Sequence, residues 1–370
     1  MEKFQIRPVI RMYGTFGEFV QDEQLGEDDL ILTNEYIYEP YMAQYGLKCG
    51  ICFQEKYGAG EPTDVMIEAI AADVKLSGFK RIIAVGGGTI IDIAKILSLK
   101  GFSSVDEVYS GETLIKGKDL VIIPTTCGTG SEVTNFAVVN RTRVGTKMGL
   151  GNDALYADCA VLIPEFLRTL PYAVFATSSI DALVHSVESY LHPESNDFTE
   201  LYAVKAMQMI IASYKQIAEA GPDKVKDLSE ELLKASCMAG IAFGNNSCAT
   251  VHALSYALGG KYHVPHGESN YEFFAEVLKV YKAKAPSGKI SKLEKILAES
   301  LGCAEEDAIK GLEELLEKIL PNKHMREYGA VPEDVEAFAD STVECQQRLL
   351  KWSYVPLSRD EIADIYRARL

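Results

Sequence analysis

The sequence has little with which to hold nucleic acid and no apolar run long enough to cross a bilayer. Of its 370 residues, 37 are Lys or Arg against 53 Asp or Glu, a formal net charge of −16. An acidic chain repels phosphate backbones, and no dense Lys/Arg run overrides that here, so nucleic acid is not an expected partner. No stretch approaches the roughly 20 apolar residues of a membrane helix, so no membrane partner is expected either. The opening MEKFQIRPVIRMYG lacks the apolar core of a secretory signal, which makes a cytoplasmic protein the expectation. Tandem repeats and low-complexity linkers are also missing.

The eight cysteines are scattered, and one pair, Cys49 and Cys52, has C-x-x-C spacing. A zinc site would need a second ligand pair nearby, and the sequence shows none. The pair lies in LKCGICFQ, which reads as a strand rather than a helix start, so buried reduced thiols are expected.

A chain of this length is large for a single core, and two domains are expected. In the first half, short β-branched runs (DLILTNEY, CGICFQEK, RIIAV, DLVIIPTT) alternate with helical ones (EPTDVMIEAIAADVKLSGF, GGGTIIDIAKILSLK). That alternation predicts parallel strands joined by helices. From about Pro164 onward the periodicity is helical almost throughout, from PYAVFATSSIDALVHSVESYL to SRDEIADIYRA. Ser358 and Glu361 stand at capping-box spacing at the start of that last run. The expected division is an α/β domain over 1–165 and a helical domain over 166–370.

Two loops in the first half invite an anion. Gly86-Gly87-Gly88 follows the strand RIIAV and opens a helix. Such a turn admits a ligand to the backbone, and the free N–H groups of the helix start favour a phosphate. The G-x-G-x-x-G fingerprint is not matched, and Thr89 with Asp92 also fits a plain capping pair. The next strand runs into Pro124-Thr125-Thr126-Cys127-Gly128-Thr129-Gly130-Ser131-Glu132, dense in hydroxyls at a strand's carboxyl end, where open α/β sheets bind ligands. An ordinary Ser/Thr loop is the plainer reading.

Histidine is scarce as well, six in all, yet three fall in VHALSYALGGKYHVPHG at His252, His263 and His266. A fourth, His185, stands four residues after Asp181, which puts a carboxylate and an imidazole on one helix face. His252 and His266 could complete an oxygen/nitrogen metal site. A surface Asp/His pair and turn histidines would look the same in isolation.

Taken together, GGGTIIDIAK, PTTCGTGSE, LPYAVFATSSIDALVHSVESY and AGIAFGNNSCATVHALSYALGGKYHVPHG resemble the iron-containing alcohol dehydrogenase family, in order and over most of the chain. The resemblance implies a Rossmann-like α/β domain with a parallel sheet, then an all-α domain (a dehydroquinate synthase-like fold), with the site in the cleft between them. It implies a divalent metal, Fe²⁺ or else Zn²⁺, on Asp181, His185, His252 and His266. NAD contacts are implied for Gly86, Gly87, Gly88, Asp92, Thr125, Thr126 and Thr129. Many members carry a second histidine where this chain has Tyr256, so Tyr256, His263 or water is left to move the proton. Many members also place Asp after the first strand, where it can bind the adenosine ribose. Here Asn34 stands there, followed by Glu35, and the absence of Lys or Arg in EDDLILTNEYIYEP favours NAD over NADP.

Within the family, ILTNEYIYEP, FQEKYGAGEP, YHVPHGESNY and QQRLL are similar to the 4-hydroxybutyrate dehydrogenases. That implies hydride transfer between 4-hydroxybutyrate and succinate semialdehyde, in a homodimer or larger homo-oligomer. The same chemistry on 1,3-propanediol, butanol or lactaldehyde is one alternative. A dehydroquinate synthase-like lyase and a non-catalytic binding protein are the others. Arg141, Arg143, Lys147, Lys261 and His263 are candidates to meet a substrate carboxylate.

Overall fold

The structure, a computed structural model, describes residues 3–370. They form two compact units, Gln5–Leu170 and Pro171–Leu370, the latter joined by residues 3–4.

The first unit contains β1 (Val9–Met12), α1 (Phe16–Glu23), β2 (Asp29–Thr33), α2 (Glu35–Tyr41), β3 (Gly50–Phe53), α3 (Asp64–Val74), β4 (Arg81–Gly86), α4 (Gly88–Leu97), α5 (Val105–Val108), β5 (Asp119–Pro124), β6 (Phe136–Arg141), β7 (Thr146–Gly151) and β8 (Cys159–Leu162). Six strands pair in the order β1-β8-β5-β4-β2-β3, every pair parallel. A parallel sheet is covered on both faces, which is why its strands read as continuous apolar runs. Ile31, Ile83 and Ile123 face a core with Phe16 and Phe166. Leu30, Ile82 and Ile122, one residue out of phase, face a second core with Ile67 and Ile91. Phe166 also packs edge-on against Tyr41, which holds this stretch to the first unit.

Three local readings change. The run expected to stay extended through Tyr36 turns helical at Glu35. The helix expected to end at Gly78 ends at Val74, because Lys75 takes a left-handed φ of 51°. Residues 136–151, not read as strands, form the antiparallel hairpin β6–β7. Cys49 and Cys52 are free and buried, and they belong to the cores on opposite faces of the sheet. Burial pushes both thiols up to about 11, which keeps them protonated.

The second unit comprises α6 (Tyr172–Leu191), α7 (Asp197–Ala220), α8 (Ser229–Asn245), α9 (Thr250–Tyr262), α10 (His266–Lys284), α11 (Lys289–Leu301), α12 (Ala308–Ile319), α13 (Pro332–Cys345), α14 (Gln347–Leu350) and α15 (Arg359–Ala368). The Ser358/Glu361 capping box forms, with Ser358 Oγ accepting from Glu361 N and Glu361 Oε2 accepting from Ser358 N. Periodicity did not mark α9 and α10. The first carries Gly259 and Gly260, and the second buries Ser269, Asn270 and Glu272 among its apolar residues, which breaks the stripe. Among the described residues, no helix is long and apolar enough to cross a membrane.

Candidate functional site

Helix α6 is buried almost without interruption from Ser179 to Leu191, including Asp181, His185 and Glu188. Buried polar groups need partners. These three stand at i, i+4 and i+7, on one face. Helices α9 and α10 each bring a similar pair, His252 with Tyr256 and His266 with Asn270, again four apart.

The three helices meet closely. A Cβ on Gly267 would lie 2.0 Å from the Thr177 carbonyl oxygen and 3.3 Å from Asp181 Cβ, so only glycine lets α10 approach α6 there. Beside it, His266 opens α10 directly after Pro265. Asp181 Oδ1 then lies 3.8 Å from His185 Nε2, 3.6 Å from His252 Nε2 and 3.8 Å from His266 Nε2. Donors about 2.1 Å from a tetrahedral ion stand about 3.4 Å apart, and Asp181, His252 and His266 group closely enough to share one divalent cation, while His185 joins them through Asp181 and groups with His252 and Cys248. Asn270 Nδ2 approaches the same point, 2.7 Å from Asp181 Oδ1, 3.2 Å from His252 Nε2 and 3.3 Å from His266 Nε2. Electron pairs from three side chains thus converge where an electron-poor N–H group is seated, and a donor set of one carboxylate and three imidazoles suits Fe²⁺ or Zn²⁺. Burial raises the Asp181 pKa, but His185, His266 and His252 outweigh it and hold the carboxyl well below the usual range.

Two neighbours were missed in the sequence. Glu188 Oε2 accepts from His252 Nδ1 at 2.6 Å and from Ala249 N at 2.9 Å, while Oε1 accepts from Val251 N at 2.6 Å. One carboxylate therefore orients a proposed ligand and caps the start of α9. Its i+7 spacing from Asp181 was the available signal. Cys248 lies with His185 and His252 in a cluster whose candidate ligand atoms all fall within 4.8 Å of one another, although no thiol was expected near the metal. Nothing in the spacing GNNSCATVH marks it.

Tyr256 and His263, the side chains expected to move the proton, lie on and just beyond α9. The Tyr256 ring centroid is 6.2 Å from that of His266. His263 is exposed and ends the helix in a left-handed conformation, φ 54°.

In the first unit, β4 and β5 are adjacent with Gly86 opposite Pro124, so the glycine turn and the hydroxyl loop leave the sheet side by side. Helix α4 starts at Gly88 with no side-chain cap, which leaves its first N–H groups for an anion. Gly87 and Gly88 lie against Thr126 and Thr129. Gly86 also serves packing, since a Cβ there would fall 2.4 Å from Ile90 Cγ1. Thr125 is buried, with its N–H on the Gly86 carbonyl.

Asp92, expected to meet the dinucleotide, has partners within the protein. Its Oδ1 accepts from Ser131 Oγ at 3.0 Å and its Oδ2 from Val138 N at 2.9 Å, so the carboxylate ties α4 to the hydroxyl loop and to β6. Lys95, one turn on and fully buried, donates to Ser131 Oγ (2.7 Å), Thr134 Oγ1 (3.2 Å) and the Phe136 carbonyl (2.6 Å). Asn34 is also engaged within the protein. Its Nδ2 donates to Glu55 Oε2 at 2.8 Å and Gln54 Oε1 at 3.2 Å, while Glu55 Oε1 accepts the Glu35 amide at 2.5 Å. Two acids, Glu35 and Glu55, therefore flank the end of β2.

The cations named for a substrate carboxylate are already paired. Arg141 holds Asp106 at 2.6 Å, Lys147 holds Glu61 at 2.6 Å, Arg143 pairs with Glu68, and Lys261 pairs with Asp334.

Residues 17–164 match the family described as iron-containing alcohol dehydrogenase, and residues 175–370 match the Fe-containing alcohol dehydrogenase family, C-terminal. The chain belongs to the iron-containing alcohol dehydrogenase family. Its chemistry is therefore NAD-dependent interconversion of an alcohol and an aldehyde, and the lyase alternative falls away. A 4-hydroxybutyrate dehydrogenase of Clostridium kluyveri is 48% identical over 368 residues, 99% of each chain. Among solved structures, a sulfoacetaldehyde reductase from Bifidobacterium kashiwanohense in complex with NAD⁺ superposes with a TM-score of 0.87 at 19% identity, covering 100% of this chain and 98% of that one. A 1,3-propanediol oxidoreductase does so with 0.86 at 24% identity, covering 100% of both. Both share the family's fold, an α/β part with a parallel sheet followed by a helical part.

Proposed function

We propose that this dehydrogenase interconverts 4-hydroxybutyrate and succinate semialdehyde with NAD, using Fe²⁺ or Zn²⁺ held by Asp181, His185, His252 and His266. The cluster of Asp181, His252 and His266, whose candidate ligand atoms lie within 4.8 Å of one another, with His185 Nε2 3.8 Å from Asp181 Oδ1, carries the metal assignment. The 48% identity to the Clostridium kluyveri enzyme supports the substrate.

A bound cation supplies Lewis acidity toward the alcohol oxygen. Asp181 and the imidazoles grip it, and Glu188 sets the direction of His252. In the first unit, the α4 amides with Gly87 and Gly88 receive the pyrophosphate, and Thr125, Thr126 and Thr129 line the neighbouring loop. Asn34 marks the ribose end, where Glu35 and Glu55 repel a 2′-phosphate and favour NAD over NADP. Tyr256 Oη and the His263 imidazole are the side chains assigned to proton exchange with solvent. This reading includes a cytoplasmic homodimer or larger homo-oligomer, which light scattering measures directly.

The test is turnover of metal-replete protein with NAD and with NADP on 4-hydroxybutyrate, 1,3-propanediol, butanol and lactaldehyde. Preference for 4-hydroxybutyrate with NAD is expected. Equal use of the uncharged alcohols would reject the substrate.

A further inference from the structure

A hydroxy acid brings a carboxylate to the helical unit, and taking that charge out of water calls for a cation. Lys261 is spent on Asp334, but Arg348 in α14 is differently placed. Among the described residues it forms no ion pair, and its contacts are with Tyr256. Its Nη2 donates to Tyr256 Oη at 3.1 Å, and its Cζ stands 5.5 Å from the centroid of that ring. Tyr256 is one helical turn beyond His252, and its ring is 6.2 Å from the His266 ring. An unpaired guanidinium thus sits one side chain away from the imidazole cluster.

We infer that Arg348, seated on Tyr256, anchors the carboxylate of a short ω-hydroxy acid whose hydroxyl end lies at the Asp181/His252/His266 cluster. The inference rests on the proposed 4-hydroxybutyrate reading and names the residue that selects for it. Arg348 has five N–H donors, and with one on Tyr256 Oη a fork remains for a carboxylate. The hydrogen bond to Oη and the cation–π contact with the ring steady the guanidinium without neutralising it. The Tyr256 that departs from the family's histidine then has a reason tied to the substrate. A surface arginine resting on a tyrosine for packing alone would show the same contact, and kinetics separate the two.

The experiment compares wild type, Arg348→Gln and Arg348→Lys, each metal-replete, on 4-hydroxybutyrate and on 1-butanol, an alcohol of the same carbon number. Butyrate, which has the carboxylate and no hydroxyl, serves as a competitive inhibitor. Losing a hydrogen bond to a charged group predicts a roughly 10- to 100-fold fall in the ratio of kcat/KM for 4-hydroxybutyrate over butanol in Arg348→Gln. The fall should lie in KM, the inhibition constant of butyrate should rise by a similar factor, and Arg348→Lys should recover part of both. A ratio and a butyrate constant that stay at wild-type values in Arg348→Gln would overturn the anchor while leaving the substrate reading intact. Wild type that turns over butanol but not 4-hydroxybutyrate would overturn the substrate reading, and the anchor with it.

Discussion

His252 and Glu188 are joined across 2.6 Å, imidazole Nδ1 to carboxylate Oε2, with both side chains buried. With the Nδ1 proton turned toward Glu188, the Nε2 electron pair of a neutral ring faces Asp181. Burial alone would lower the basicity of His252, but Cys248 and Glu188 outweigh it and raise its pKa. The same carboxylate receives the first amides of α9, so the ring and the helix that carries it are set by one group.

Glu188→Gln should therefore weaken metal binding roughly 10- to 100-fold, the usual cost of losing such an orienting carboxylate. Equilibrium dialysis against Zn²⁺ with elemental analysis reads this without any turnover. If affinity holds while unfolding shifts to lower urea, Glu188 is only a helix cap.

His266→Ala should abolish both metal content and turnover while the fold persists. Its side chain is 41% exposed at the start of α10, so truncation opens no core cavity. Circular dichroism with elemental analysis checks this, and full activity in the variant would reject the ligand set.

Asp92→Ala should destabilise the chain by about 3 kcal/mol, because Val138 N and Ser131 Oγ lose their acceptor beside the buried Lys95 ammonium. The Lys95 pKa is lowered to about 8 by burial, with Asp92 and Glu132 opposing. Urea unfolding gives the stability, and KM for NAD should rise as the hydroxyl loop loosens. Wild-type stability with a raised KM would instead mean that Asp92 meets the cofactor.

Glu272 sets a pH dependence. Burial pushes its carboxyl from the ordinary 4.5 to about 7, with Arg369 opposing. Across that window the folded chain keeps a proton that the unfolded chain has released, so this group's contribution to stability falls as pH rises. Relative to wild type, Glu272→Gln should gain stability between about pH 5 and about pH 7.5. Denaturant unfolding at both ends measures it, and parallel curves would remove Glu272 as the source.

Much of the site could be read along the chain because helical spacing is a local rule. Asp181 and His185 share a face on any helix, and three glycines after a β-branched strand imply a turn before a helix. The partners of Asp92 were not legible, since nothing nearby in sequence says that Val138 and Ser131, 46 and 39 residues on, will take both its oxygens. The partners of Arg141, Arg143, Lys147 and Lys261 were not legible either, because ion pairing depends on which acid lies opposite after folding.

Family and the alternation of strand and helix followed from residue order alone, and the family resemblance then named the four candidate ligands, since motif and periodicity are properties of neighbours along a chain. Which groups stand behind those ligands did not. Glu188 under His252, Cys248 beside two imidazoles and Arg348 on Tyr256 are brought together by the packing of α6, α9, α10 and α14. That packing depends on close approaches such as the one Gly267 permits, and such distances exist only once the helices have met.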